Sequence, residues 1–424
     1  MGRFIYNLLM PVAFLVYLPK LIFRYRTRCG WKDTFGERFG LYGKRERELK
    51  HFRGAAWIHA VSVGETLVAL SMIRKYHALH PERKFVLSTT TTTGQELARN
   101  NVPENTAVIF CPIDFPWMVK RCLDLLQPSQ LVIFETEIWP NMISLAKKRD
   151  IPVILVNGRL SDRSARGYRR MKMFFAPLLR QFDLILAQSE SDAERFLSVA
   201  PDANVRNGGN LKFDQKLPEL VPDNLLSAYL GEGQVILAGS THPGEEELIV
   251  KCYAELKPEF PQLKLALVPR HAERGDDIAE MLKKYGQSYA RRSSGAFPEE
   301  KVDVLLADTT GEMTQFMKDA DVVIMGKSFA GHDEGHNLIE PALLSKAIIT
   351  GTLLRNFRFL LGILQQADAV VTANDSELSD VLRKLLKDEK LRAELGDRAF
   401  RTIGSNGGAV DRAIEALEEA RKDS

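Results

Sequence analysis

From Ala55 onward, short apolar runs alternate with longer amphipathic stretches along this 424-residue chain. The runs at 56–60, 84–88, 107–110, 131–135, 153–156 and 184–187 have the length of buried strands. A second series follows at 235–238, 264–268, 302–307, 322–325, 347–350 and 369–371. Each segment between them has room for a helix. A strand covered on both faces reads as a continuous apolar run, and parallel strands need a crossover. The pattern therefore predicts parallel βαβ units. Residues 218–233 are rich in Pro, Gly and Asp, show little periodicity and read as a linker. The expected fold class is α/β, with two facing, Rossmann-like, doubly wound domains at 29–217 and 234–424. A chain of this length exceeds one ordinary core.

The amino terminus differs. Residues 4–23 are mostly apolar, interrupted by Asn7, Pro11, Pro19 and Lys20, and Arg24, Arg26 and Arg28 follow at once. This is near the lower limit for a span, which needs about 20 apolar residues. A cleaved signal would end in small residues rather than arginines. A buried core helix is a second reading. The third, adopted for residues 1–28, is a retained membrane anchor that either spans once or lies in the interface. Lys20, Arg24, Arg26, Arg28 and Lys32 outnumber Arg3 on the other side, which places the remainder in the cytoplasm. The net charge of +3 does not by itself suggest nucleic acid. Cys29, Cys111, Cys122 and Cys252 have neither metal-ligand spacing nor a disulfide pattern, and read as reduced thiols.

Doubly wound sheets bind ligands beyond the carboxyl ends of their strands, so the loops there carry the chemistry. After the first run, Ser62-Val63-Gly64-Glu65 turns tightly and opens a helix. Glu65 either complements the helix dipole or serves as a general base, for which a dry cleft would have to raise its pKa. Glu135-Thr136-Glu137 sets two carboxylates at the end of a buried run, where they require a cation, backbone amides or a catalytic use. Lys212, just before the linker, is either solvated or the partner of a phosphate or carboxylate. In the second half, the turn 238–245 offers backbone N–H groups to an anion. Pro269-Arg270 brings a guanidinium to a strand end, suited to a phosphate. A glycine-bearing loop at 326–341 leads into a helix whose Glu340 can accept from both hydroxyls of a ribose. Neither a P-loop nor a G-x-G-x-x-G is present, so nucleoside triphosphate and NAD lack support.

These motifs together resemble the 3-deoxy-D-manno-octulosonic acid (Kdo) transferases, membrane-associated glycosyltransferases of the GT-B fold. The resemblance rests on Ser62-Val63-Gly64-Glu65, Glu135-Thr136-Glu137-Ile138-Trp139-Pro140-Asn141, Leu211-Lys212-Phe213-Asp214, Val268-Pro269-Arg270-His271, Gly311-Glu312-Met313 and Gly335-His336-Asn337-Leu338-Ile339-Glu340-Pro341, in order along nearly the whole chain. It implies transfer of Kdo from CMP-Kdo to a lipid A precursor (lipid IVA), with inversion, at the cytoplasmic face of the bacterial inner membrane. Glu65 then matches the catalytic base, and Glu135 and Lys212 the groups that support the transition state. Pro269, Arg270, Gly311, Glu312, Met313, Asn337, Leu338, Ile339 and Glu340 match the CMP-binding loops. No cofactor is implied, and the sequence has no evident His/Asp metal cluster. The chain departs from the family pattern at Lys327 and Glu334, where glycines are usual, so the nucleotide loop is expected to be shaped differently.

Between 163 and 175, Arg166, Arg169, Arg170 and Lys172 interleave with Tyr168, Met171, Met173, Phe174 and Phe175. This is either a solvated helix face or a surface that meets anionic lipid and the acceptor. No nucleic-acid motif accompanies it. The rival functions are a sugar-nucleotide epimerase or another GT-B sugar transferase on the same plan, and a non-catalytic membrane adaptor.

Overall fold

The computed structural model describes residues 2–26 and 35–422. Arg28, Cys29 and Lys32 lie outside the described residues. The chain forms two seven-stranded sheets, and every strand pair is parallel. The first contains β1 (Ala56–His59), β2 (Phe85–Thr89), β3 (Thr106–Phe110), β4 (Gln130–Phe134), β5 (Val153–Gly158), β6 (Leu184–Ala187) and β7 (Val205–Asn207), in the order β3-β2-β1-β4-β5-β6-β7. The second contains β8 (Val235–Thr241), β9 (Lys264–Pro269), β10 (Tyr289–Arg291), β11 (Val304–Leu306), β12 (Val322–Met325), β13 (Ala347–Gly351) and β14 (Val371–Ala373), in the order β10-β11-β9-β8-β12-β13-β14. Strand order therefore reverses between β1 and β4 in one sheet and between β8 and β12 in the other. Such switch points open a crevice at the carboxyl ends of the strands.

All twelve expected strands are present, with ends that agree to within three residues. β7 and β10 are additional. Both are three-residue edge strands without a fully buried face, so neither writes an apolar run into the sequence.

The chain divides differently from the expected boundaries. One unit comprises Met1–Gln215 and Gly407–Ser424, the other Lys216–Asn406. The expected linker holds the helix Leu225–Leu230 of the second unit, whose Tyr229 and Leu230 are fully buried. The carboxyl-terminal helix Ala409–Lys422 returns to the first unit and buries Val410, Ile414 and Leu417 among side chains of β1, β4 and β5. Each such burial contributes about 1.5–3 kcal/mol. Arg83 Nη2 donates to both oxygens of Glu418 at 2.9 and 3.0 Å, and Asp214 accepts the Gly408 and Val410 N–H groups at 2.5 Å each.

The amino-terminal helix Gly2–Arg26 packs by one side on the first unit. Asn141 Nδ2 donates to Asn7 Oδ1 at 2.6 Å, Tyr6 meets Phe174, and Phe14 sets its ring edge-on to Phe115. Phe4, Leu8, Leu9, Val12, Leu15 and Val16 on its other side are each more than half exposed. No helix among the described residues is long and apolar enough to cross a membrane.

Candidate active site

In the first unit, the β1/β4 switch point gathers the acidic residues. Ser62 caps the helix Val63–Leu79 and Glu65 completes a capping box. One Glu65 oxygen accepts from the Val61 N–H at 2.9 Å, the other from the Ser62 hydroxyl at 2.7 Å and the Ser62 N–H at 3.3 Å. Glu65 is buried and held rigidly, so its structural role is real whatever else it does.

The next strand ends at Phe134, and Glu135 turns at φ +56°, a left-handed conformation that a non-glycine residue adopts only under constraint. The turn aims its Oε1 at Lys212 Nζ, 3.3 Å away. Lys212 is fixed from behind, because Asn210 Oδ1 accepts its N–H and Asn157 Oδ1 accepts the neighbouring Leu211 N–H. Asn157, also left-handed, leaves its buried Nδ2 without a partner among the described residues. The expected ion pair for the strand-end carboxylates is thus Glu135–Lys212.

Glu137, the second of the two strand-end carboxylates, stands in the same cluster. Burial and the neighbouring Glu65 carboxylate push it up to about 7; Glu135 adds to the push and the Trp139 indole opposes it. A group titrating near neutral pH can both take and give a proton.

The basic residues expected to face a membrane sit on two short helices, Asp162–Arg170 and Lys172–Leu179, broken at Met171. Arg166, Arg169, Arg170 and Lys172 are exposed, and none has a carboxylate in ion-pair range among the described residues. Met173 is 92% exposed, whereas Tyr168 and Phe175 stack on each other against the core.

In the second unit, the β8/β12 switch point is built by a residue the sequence did not single out. Glu245 is fully buried. One of its oxygens accepts the Ser328 and Phe329 N–H groups at 2.9 Å, the other the His242 and Lys327 N–H groups at 2.8 Å. The turn 238–245 was expected to offer its amides to an external anion; the protein's own carboxylate takes the His242 amide instead. Gly326 is required beside it, since a Cβ there would come within 2.8 Å of Glu245 and 2.6 Å of the Ser240 carbonyl.

The expected nucleotide loops do converge at this end of the sheet. Arg270 follows β9, is exposed, and has no carboxylate partner among the described residues. The Glu312 carboxylate is not available in the same way: Arg292 holds it at 2.7 Å and the Thr309 hydroxyl donates to it, which keeps its pKa low. Met313 Sδ accepts from the Ser240 hydroxyl, and Thr314 donates to Glu340 at 3.2 Å, tying the loop at 311–313 to the one at 337–340. Leu338 and Ile339 are core residues, so only their backbone can face a ligand. Asn337 caps the following turn by accepting the Ile339 N–H. Thr241 Oγ1, fully buried, finds no partner among the described residues.

Comparison with known proteins decides the family. The model of a family described as 3-deoxy-D-manno-octulosonic-acid transferase (kdotransferase) matches residues 33–215. The Haemophilus influenzae 3-deoxy-D-manno-octulosonic acid transferase is 31% identical over 99% of this chain and 98% of its own length. That of Bordetella pertussis is 31% identical over 99% of each. The chain belongs to the Kdo transferase family. It is accordingly a glycosyltransferase. Among solved structures, UDP-GlcNAc 2-epimerase from Neisseria meningitidis superposes with a TM-score of 0.56 at 13% identity, over 86% of this chain and all of that one. Acinetobacter baumannii MurG gives 0.53 at 12%, over 87% and 99%. At such identities the likeness is one of fold, and that fold is GT-B.

Lys327 and Glu334, where the resemblance leads to the expectation of glycines, meet in space. Lys327 keeps the left-handed φ of +60° that glycine adopts without cost, and its Nζ lies 3.9 Å from Glu334 Oε1. The Lys327 carbonyl accepts the Gly335 N–H at 2.7 Å, which closes the loop.

Proposed function

We propose that this Kdo transferase moves Kdo from CMP-Kdo to a sugar hydroxyl of a lipid A precursor, with inversion at the anomeric carbon and without a metal, at the cytoplasmic face of the inner membrane. Membership of the family over the full length carries the reading. Its division of labour follows from charge: a buried acidic cluster stands at one switch point and a cationic one at the other. In the first unit, Glu65 takes the acceptor proton as the oxygen attacks. Glu137, whose carboxyl is pushed up to about 7 by burial and by the neighbouring Glu65 carboxylate, receives the proton next. Glu135 and Lys212 hold fixed opposite charges beside the forming bond. In the second unit, Arg270 and the loops at 311–313 and 337–340 bind CMP, and Arg270 offsets the charge that grows on the departing phosphate. The lipid is met by the exposed apolar side of the amino-terminal helix together with the basic residues from Arg163 to Lys172.

CMP release from CMP-Kdo, with and without tetra-acylated lipid A precursor in vesicles, tests this. Release should require the lipid. Release at the same rate without lipid, or turnover of UDP-GlcNAc instead, would overturn it.

A further inference from the structure

Four histidines from three loops meet at the β8/β12 switch point. The His242 ring lies 5.3 Å from His336, 5.5 Å from His332 and 5.8 Å from His271, centroid to centroid. His242 Nε2 and His336 Nε2 are 3.1 Å apart. Two lone pairs, or two N–H groups, would repel at that separation, so one ring donates its proton to the other. His332 is set apart from this exchange because its Nε2 lies 3.1 Å from the Pro243 carbonyl.

Burial holds both rings down to about 4, helped by Lys327, Arg270 and Arg274 and by the neighbouring His271 and His332 rings. The nearby carboxylates are committed elsewhere. Glu245 serves four backbone N–H groups and Glu246 serves Arg274. Glu334 lies against Lys327, and Glu273, largely exposed, is 3.6 Å from His271 Nδ1. Among the described residues no three His, Cys, Asp or Glu side chains converge as a metal cradle. What remains is a pocket of fixed cations around two neutral imidazoles that share one proton and have room for a second.

We infer that the His242–His336 pair is a proton-accepting phosphate latch: it binds the terminal phosphate of a nucleoside monophosphate and takes up one proton as it does so. The dianion supplies the negative charge whose absence keeps the rings neutral, and the added proton goes to the Nδ1 of the donating ring, so that the Nε2–H···Nε2 bond between the rings persists. The two rings then titrate as a unit. A phosphate diester, with one charge, draws the proton less strongly than the monoester left after transfer, so the latch favours the product form. The inference rests on the reading that a nucleotide occupies the second unit, and the test separates the two.

The full chain is titrated with CMP, and separately with inorganic phosphate, by calorimetry at pH 7.5 in two buffers of different ionisation enthalpy. The latch predicts close to one proton taken up per CMP bound, and an affinity that falls about tenfold per pH unit above that. In His336→Gln and in His242→Asn the proton uptake should vanish and the affinity should become nearly flat with pH. Wild-type binding of CMP without proton uptake overturns the latch on its own, whatever the variants do. Proton-linked binding of inorganic phosphate with no binding of CMP keeps the latch and removes the nucleotide reading. Binding of neither anion removes both.

Discussion

Replacing Glu245 should loosen the loops at the β8/β12 switch point of the second unit. Its carboxylate is the acceptor for four backbone N–H groups from two loops some eighty residues apart. A buried donor that loses its acceptor costs about 1–3 kcal/mol. Glu245→Gln keeps one carbonyl oxygen and turns the other into an NH2 that faces two donors. The loop should therefore lose roughly 2–6 kcal/mol of local stability, from two N–H groups at about 1–3 kcal/mol each. Tryptophan fluorescence is blind to this, because Trp31, Trp57, Trp117 and Trp139 all precede the second unit. Hydrogen exchange reads it directly: amides of His242 and of Lys327 to Phe329 should exchange about one to four orders of magnitude faster. CMP affinity should fall, while peptides of β1 and β4 keep their protection. Unchanged exchange in these loops would refute the four-bond account of Glu245.

Glu137 gives a pH-dependent prediction. Its folded pKa of about 7 lies above the unfolded value, so the fold favours its protonated form. That contribution is complete below about pH 4.3 and is lost as pH rises through 7; at pH 8.5 the charge costs roughly 2–3 kcal/mol after allowance for partial exposure. Glu137→Gln should thus raise the melting temperature at pH 8.5 and leave it nearly unchanged at pH 4.5, and an equal shift at both would contradict the assignment. Glu65→Gln should keep CMP affinity and lose about 10²–10⁴ in transfer rate, as read by CMP release; near-normal turnover would remove it as the base. Arg270→Ala should weaken CMP about tenfold or more in calorimetry, the worth of one charge-assisted hydrogen bond. Reversing Arg166, Arg169 and Arg170 to Glu should weaken flotation with anionic vesicles, by about 1 kcal/mol per basic side chain removed and most visibly at low salt. A variant that floats like the parent would make these residues a solvated face.

The sheets were legible because every central strand is buried on both sides and writes three to five apolar residues in a row. β7 and β10 were not, because an exposed three-residue edge strand such as Val205–Asn207 leaves no such trace. The helix Ala409–Lys422 is recognisable as a helix, yet nothing in its amphipathic pattern says which unit it will cover; the Asp214 and Glu418 contacts that fix it are long-range. The same holds at the site. Glu65, Glu135 and Lys212 stand in short motifs that the sequence displays directly, and the fold brings Glu135 and Lys212 together. Glu245 looks like an ordinary first-turn carboxylate, and its work on residues 327–329 appears only once β8 and β12 lie side by side. Glu137 and the His242–His336 pair owe their unusual protonation to burial and to neighbours from other loops. Glu312 shows the converse, for its motif position suggests a ligand contact while Arg292 already occupies its carboxylate.

The central claim is tested most directly by the product. The protein is incubated with CMP-Kdo and tetra-acylated lipid A precursor, and the lipid is weighed by mass spectrometry. The account predicts a lipid heavier by at least one Kdo residue, with one CMP released for each residue added. A lipid of unchanged mass, with CMP-Kdo intact or merely hydrolysed, would contradict it.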